Sequence, residues 1–312
     1  MGAPLAYNAT VVGRTDLTDS LATFLIEPDA VPRRPWFTAG QYCVLGLNNL
    51  EAPELGSVSR AMSVASAPES DGPLEFYIRY AATPATRNPL THLLWKVETG
   101  GRVYLRTAAA GTFTIADTVG ASDSRLRVMV AAGTGAAPFI SMIRSEVHRN
   151  RRVDLSKWVL LHGASYPTEL GYREELLALS ARNGLRYRGT VSRPSDALEW
   201  IGDVGRVESF FAPHRLPQLE QRLGVAPGHF TPDEAVVFVC GLTGTIRAVL
   251  VQLLERGFIP HARPIRDALG VPRNVGDSLF YELYDPTPVI DLDDPAVIAP
   301  LHARMQAALT RR

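Results

Sequence analysis

The hydrophobic pattern of this 312-residue chain changes once, near residue 125, and that change limits the fold more than any other feature. Before it, short apolar runs such as LATFLIEP, GQYCVLGL, MSVASAP, LEFYIRY and RVYLRTA are broken by Gly, Pro, Asn and Asp. Short strands punctuated in this way point to an antiparallel barrel or sandwich over residues 8–115. After it, LRVMVAA (126–132) leads into PFISMIRSEVHR, and WVLLHG (158–163) into TELGYREELLALSA. RYRGTV and VVFVCG follow, and then TIRAVLVQLLERG, whose Ile246, Val249, Leu250, Leu253 and Leu254 share one helical face. Buried strands alternating with helices predict a parallel sheet with crossover helices. The boundary falls in TVGASDS, residues 118–124, which gives domains of 1–120 and 121–285 and an extension of 286–312.

Charge and cysteine content exclude several classes. The 32 basic and 32 acidic residues cancel, so neither nucleic acid nor an anionic membrane is an expected partner. Two cysteines, Cys43 and Cys240, cannot alone build a zinc site or a four-cysteine cluster, so no metal is expected. They fit free thiols in a reducing compartment. No apolar run reaches membrane-spanning length, and MGAPLAYNATVVGR lacks the charged start and apolar core of a secretion signal. The expected location is cytoplasmic.

Four stretches carry candidate chemistry. In SRAMSVAS, Arg60 stands three residues before Ser63, a cation for a phosphate and a hydroxyl for a ligand edge. AAGTGAAPFI follows the first strand of the second domain; Gly133 and Gly135 allow a tight turn, and Pro138 suits the first helical turn. It reads either as a plain strand-to-helix turn or as an anion-binding one. In VFVCGLTGTI, Cys240 ends a buried strand before Gly241, Leu242 and Gly244; it is either a core thiol or one against a flat ring. In TVSRP, Thr190, Ser192 and Arg193 end another strand, with Arg206 beyond in GDVGRV; they are solvated loop residues or a phosphate site.

Taken in order, GQY, RAMS, EFYIR, PLTHL, GTF, AAGTGAAPFISMIR, LLHGASYPTELGY, TVSR, VCGLTG and ELY resemble the ferredoxin–NADP reductase family over roughly residues 8–285. The resemblance implies a two-domain fold: an N-terminal antiparallel β-barrel that binds FAD, and a C-terminal Rossmann-like α/β domain that binds NADP. It implies that Arg60 contacts the flavin pyrophosphate within the Arg60, Ala61, Met62, Ser63 run, and that Ser63 lies beside flavin N5. Tyr77, Ile78 and Arg79 would run along the ribityl and phosphate, with Leu90, Thr91 and His92 as a phosphate-binding turn. Gly133, Thr134 and Gly135 would face the nicotinamide dinucleotide, as would Cys240, Gly241 and Leu242, with Cys240 by the nicotinamide. Ser192, Arg193 and Arg206 would hold the NADP phosphate, Glu282 would support Ser63, and Tyr284 would cover the flavin face.

Three departures stand out. Met62 occupies the place of a flavin-stacking tyrosine, so Tyr77 or Tyr80 is expected to compensate. Asn88 stands where a glycine is common, and Ser165 where related bacterial reductases often carry an arginine. The resemblance thus implies an FAD-dependent enzyme passing hydride between NADPH and FAD and single electrons to ferredoxin or a similar small iron–sulfur protein. Its rivals are an NADH-dependent reductase serving an oxygenase or cytochrome P450, and a non-catalytic flavin protein. A monomer is expected. The basic clusters at 148–154 and at Arg33 and Arg34 are either solvated faces or acidic-partner contacts. In the extension, Asp294 and Pro295 start a helix whose Val297, Ile298, Leu301, Met305 and Leu309 share a face. Arg304, Arg311 and Arg312 point away, and Pro300 is expected to bend the helix. It is expected either to dock on its own subunit near the FAD, holding Tyr284 over the flavin face, or to be a disordered end or a dimer contact.

Overall fold

The computed structural model describes residues 4–30, 33–194, 199–284 and 287–311; the expected boundary residue Asp285 and the helix-end Arg312 lie outside them. The chain divides into two compact units, 1–121 with 137–153, and 122–136 with 154–312.

The first unit holds six strands: β1 (Ala9–Thr18), β2 (Leu21–Pro28), β3 (Tyr42–Asn48), β4 (Ser57–Ser63), β5 (Leu74–Arg79) and β6 (Arg102–Ala110). They pair antiparallel in the order β4-β3-β6-β1-β2-β5. A bridge between Val64 and Phe76 joins the two edges, so the sheet returns on itself as a barrel. Alternation along the strands sends Phe24, Ile26, Leu45, Leu74, Phe76 and Leu105 into a core where each is at most 1% exposed. Cys43 lies in this core, and burial pushes its thiol up to about 12, so it is inert. A short helix, α1 (Leu90–Leu94), and the one-turn α2 (Ile115–Thr118) complete the segment before residue 121.

Helix α3 (Ala137–Arg149) groups with this unit, whereas the sequence places it in the 121–285 domain. Its side chains give the reason. Phe139 packs on Phe113 with ring centroids 5.7 Å apart, and Ser141 Oγ donates to the Ser66 carbonyl at 2.7 Å. Arg144 pairs with Glu75 at 2.9 Å.

The second unit is a parallel sheet of β7 (Leu126–Ala132), β8 (Trp158–Ala164), β9 (Arg186–Val191), β10 (Asp203–Val204), β11 (Ala235–Gly241) and β12 (Leu279–Leu283), ordered β10-β9-β8-β7-β11-β12. Its helices are α4 (Arg173–Asn183), α5 (Leu216–Arg222), α6 (Thr243–Leu254), α7 (Arg263–Ala268) and α8 (Pro295–Thr310). β7, β8 and β11 are almost wholly apolar, as strands covered on both faces must be. The helix expected from Thr168 starts only at Arg173, because Tyr172 turns left-handed at φ 63°.

In the extension, the Asp294 carboxylate caps α8 by accepting from the Ala296 amide at 2.8 Å. The helix runs on through Pro300 and buries Leu301, Met305 and Ala308, the first two in the core that also contains α6 residues. Val297, expected on that face, is 37% exposed, and Ala308 takes a buried place instead. Arg247 of α6 grips the carbonyl of Val289 at 2.6 Å, which fastens the segment that leads to α8. Among the described residues no helix is long and apolar enough to cross a membrane.

Candidate functional site

In the first unit the expected residues fall on β4, β5 and α1. Ser63 ends β4 opposite Tyr42 and is 9% exposed. Arg60 and Ala61 are exposed, and Arg60 donates from Nη1 to the Ser59 carbonyl at 2.8 Å. Met62 is partly buried and packs against the barrel core. Tyr77 and Ile78 are 4% and 3% exposed, and Arg79 ends β5. Tyr80 lies flat on His92, centroids 4.4 Å apart at 2°, so one face of the ring expected to compensate for Met62 is already covered. Two hydrogen bonds tie the turn after β5 to α1. The Thr91 hydroxyl accepts from the Ala81 amide at 3.2 Å, and His92 Nε2 meets the Ala81 carbonyl at 2.8 Å. Leu90 is buried beneath them.

Asn88 shows why no glycine is required there. Tyr172 is the one described non-glycine residue with positive φ, so Asn88 has an ordinary backbone. Its side chain instead stitches loops together, donating to the Leu55 and Gly56 carbonyls and accepting from Asn49.

In the second unit the carboxyl ends of β7, β11 and β12 bring several expected residues together. A Cβ on Gly135 would lie 2.1 Å from the Cys240 carbonyl oxygen, so the turn after β7 presses on the backbone of β11. The expectation was approach to a ligand; the close approach is to a neighbouring strand. Gly133 differs: its φ is +56° and nothing lies within 4 Å of its Cβ position, so that corner has room for a ligand. Gly241, at φ +142°, leans on Ala132, and Leu242 beyond it is 70% exposed. Glu282 is the registered partner of Cys240 across β11 and β12. Tyr284, 46% exposed, donates its hydroxyl to the Thr134 carbonyl at 3.2 Å. Burial first, and the Glu282 charge second, hold the Cys240 thiol well above its usual range, against a weaker downward pull from the nearby Tyr284 hydroxyl and Gly241 amide. Cys240 is therefore a neutral thiol at 0% exposure, suited to packing rather than to nucleophilic attack.

The residues after β8 and β9 form a second group. The Arg193 amide donates to the Ser165 carbonyl at 3.0 Å, and its guanidinium donates to Tyr166 Oη at 3.2 Å while lying over that ring. Ser192, Arg193 and Arg206 are exposed. The Arg206 guanidinium makes no ion pair or hydrogen bond among the described residues. Thr190 is a correction: it is 0% exposed and donates to the Gly205 carbonyl at 2.8 Å, so its hydroxyl serves the fold and is closed to a ligand.

His162 escaped the sequence reading. It is fully buried in β8, opposite Ala131 and Gly189, small neighbours that leave room for an imidazole. Its Nε2 lies 3.2 Å from the Gly133 carbonyl, and Nδ1 is buried without a hydrogen-bond partner among the described residues. Burial pushes the ring down to about 4, against a weaker upward pull from that carbonyl. A neutral ring with Nε2–H donating therefore pins the first residue of the turn. Within the second unit, the open Gly133 corner and an Arg206 guanidinium unpaired among the described residues fit a phosphate-bearing dinucleotide. No group of three or more potential metal ligands occurs among the described residues.

Residues 129–250 match the family model described as oxidoreductase NAD-binding domain, which agrees with the parallel-sheet unit and its strand-end turn. The fold and this match define an oxidoreductase of the two-domain reductase class. Ferredoxin–NADP reductase B of Sorangium cellulosum (strain So ce56) is 33% identical over 251 residues, 80% of this chain and 86% of that protein. Methane monooxygenase component C of Methylosinus trichosporium is 40% identical over 121 residues, 39% of this chain and 32% of that protein. Among solved structures, a ferredoxin NADP+ reductase from Neisseria gonorrhoeae with bound FAD and NADP has the same fold, with a TM-score of 0.69 and 24% identity. That likeness covers 91% of this chain and 100% of the other. This chain belongs to the ferredoxin–NADP reductase family.

Proposed function

We propose that this protein is an FAD-dependent ferredoxin–NADP reductase, and that the residues gathered at the carboxyl ends of β7, β11 and β12 receive the nicotinamide. The observation that carries this reading is the convergence of Gly133, Cys240 and Tyr284 in one unit, beside a family relative at 33% identity. Bound FAD would supply hydride acceptance and single-electron release; the chain supplies binding, orientation and proton control. Arg60 neutralises pyrophosphate charge, helped by Arg79 and the Leu90, Thr91, His92 turn. Met62 presents an apolar thioether to a ring face, where a tyrosine would stack and donate. The Ser63 hydroxyl offers a hydrogen bond at the reacting edge, and Glu282 holds or releases a proton. Cys240 backs the nicotinamide site from within β11 as a neutral, fully buried thiol. Ser192, Arg193 and Arg206 bind a 2′-phosphate, which favours NADPH over NADH.

The partner is an iron–sulfur protein, and ferredoxin is the specific acceptor that the Sorangium relative's name supports. A second reading, an NADH-dependent component serving an oxygenase, draws on the Methylosinus likeness and on Ser165 in place of an arginine. The test is single-turnover reduction of the flavin-loaded protein by NADPH. Ser63→Ala and Glu282→Gln are each expected to slow it on the order of 10²-fold with flavin retained. Wild-type rates in both variants would remove these residues from the reaction.

A further inference from the structure

The segment Asp203–Arg206, at the end of β10, is held in an unusual way. Each of its four consecutive carbonyls accepts a hydrogen bond from a different side chain. Trp200 Nε1 donates to Asp203 at 3.0 Å, and Arg215 Nη1 to Val204 at 2.9 Å. Thr190 Oγ1 donates to Gly205 at 2.8 Å, and Ser209 Oγ to Arg206 at 2.6 Å. The Gly205 amide is also used, donating to Val191 at 2.8 Å. Gly205 itself has φ +118°, a conformation that glycine alone adopts readily.

Arg215 is the keystone of this arrangement. Besides Val204, its Nη1 bonds Ser209 Oγ at 2.6 Å, and its Nη2 lies 3.7 Å from the Asp203 carboxylate. Its guanidinium stacks over Phe210 at 4.9 Å. Asp203 in turn collects Arg188 at 2.9 Å and Arg222 at 2.8 Å. So a carboxylate and an arginine, both part-buried, hold the backbone that carries Arg206. A surface turn needs no such clamp for its own sake, since water satisfies exposed carbonyls. What the clamp achieves is a fixed starting point for a long, exposed cation that is unpaired among the described residues. Ordering a backbone residue on binding carries an entropic cost, and that cost is met here during folding.

We propose that Arg215 is a positioning residue for Arg206, and through it sets how strongly the protein discriminates a 2′-phosphorylated nucleotide from its unphosphorylated counterpart. This rests on the reading that Arg206 binds that phosphate. The discrimination lies partly outside the contact residues, in side chains that never meet the nucleotide.

The experiment is a double-mutant cycle on the flavin-loaded protein with wild type, Arg206→Ala, Arg215→Met and the double variant. Each is titrated calorimetrically with 2′-phospho-AMP and with 5′-AMP, and the ratio of the two Kd values is compared. The NADPH to NADH ratio in kcat/KM is measured alongside. Arg215→Met is expected to lower both ratios about tenfold, the effect of restoring backbone freedom to one residue. In the double variant the ratios fall no further than in Arg206→Ala, because Arg215 acts through Arg206. An unchanged ratio in Arg215→Met, or losses that multiply in the double variant, would overturn the proposal. An unchanged ratio in Arg206→Ala would overturn the phosphate reading itself, and this inference with it. Should Arg215→Met fail to give holoenzyme, Ser209→Ala replaces it in the same cycle, with the same direction expected and the same contrary results decisive.

Discussion

Arg60 in the first unit and Arg206 in the second are both exposed, yet they stand on different supports. Arg60 sits in a β ladder opposite Leu45 and folds back onto its own neighbour's carbonyl at Ser59. Arg206 sits on a turn whose carbonyls are all bound, with its guanidinium left unpaired among the described residues. An arginine that already has a hydrogen bond exchanges it on meeting a ligand, so its net gain is small. An unpaired arginine on a fixed backbone gains in full. The first arrangement suits a cofactor held by many contacts; the second suits a choice between two molecules that differ by one phosphate.

The firmness of the second unit is the first thing to break. Gly135→Ala places a methyl 2.1 Å from the Cys240 carbonyl, a backbone clash that no rotamer relieves. A loss of at least about 4 kcal/mol in chemical denaturation is expected, together with loss of nicotinamide binding. Retention of wild-type stability would show that the β7 and β11 loops are not in contact.

Acid is the next lever. His162 titrates near 4 when folded and near its ordinary 6.5 when unfolded, so the unfolded chain binds more protons between those values. Its neutral, buried state therefore contributes stability that is complete above about pH 6.5 and is lost as pH falls through 4. The loss reaches about 3 kcal/mol, and His162→Gln should flatten that part of the stability profile. An identical acid profile in the variant would mean that the ring is not buried neutral.

The comparison is sharpened by Arg60→Ala. Flavin affinity is expected to fall by about 1.5–2 kcal/mol in titration of the apoprotein, the lower end for a charge-assisted bond because the Ser59 carbonyl bond is exchanged. Gly133→Ala is the mildest change. The space is open and only the left-handed backbone objects, so about 1–2 kcal/mol of stability is expected to be lost in denaturation.

Much of this was legible in the sequence because it rests on periodicity. The switch of pattern near residue 125 marks where strands covered on both faces begin, and LRVMVAA, WVLLHG and VVFVCG fall in β7, β8 and β11. What stayed hidden depends on contacts between distant residues. Strand β10 has two residues, too few for any period, and the five-residue β12 was visible only as the ELY run. Thr190 looks like a ligand hydroxyl until the Gly205 carbonyl, fifteen positions on, accepts its hydrogen bond. Nothing near His162 announces its bond to Gly133, and Arg215 reads as one more basic residue. Gly205 was the available clue, since a glycine just before Arg206 marks a backbone that needs positive φ.

The central claim is that this chain carries FAD and draws electrons from NADPH in preference to NADH through an arginine-bearing second unit. The most direct measurement is anaerobic titration of the purified flavin-loaded protein with each nucleotide, in wild type and in Arg193→Ala/Arg206→Ala, following flavin absorbance. The account predicts bleaching by NADPH at lower concentration than by NADH in wild type, with the gap narrowed in the double variant. No bleaching by either nucleotide, or an equal response to both in wild type, would contradict it.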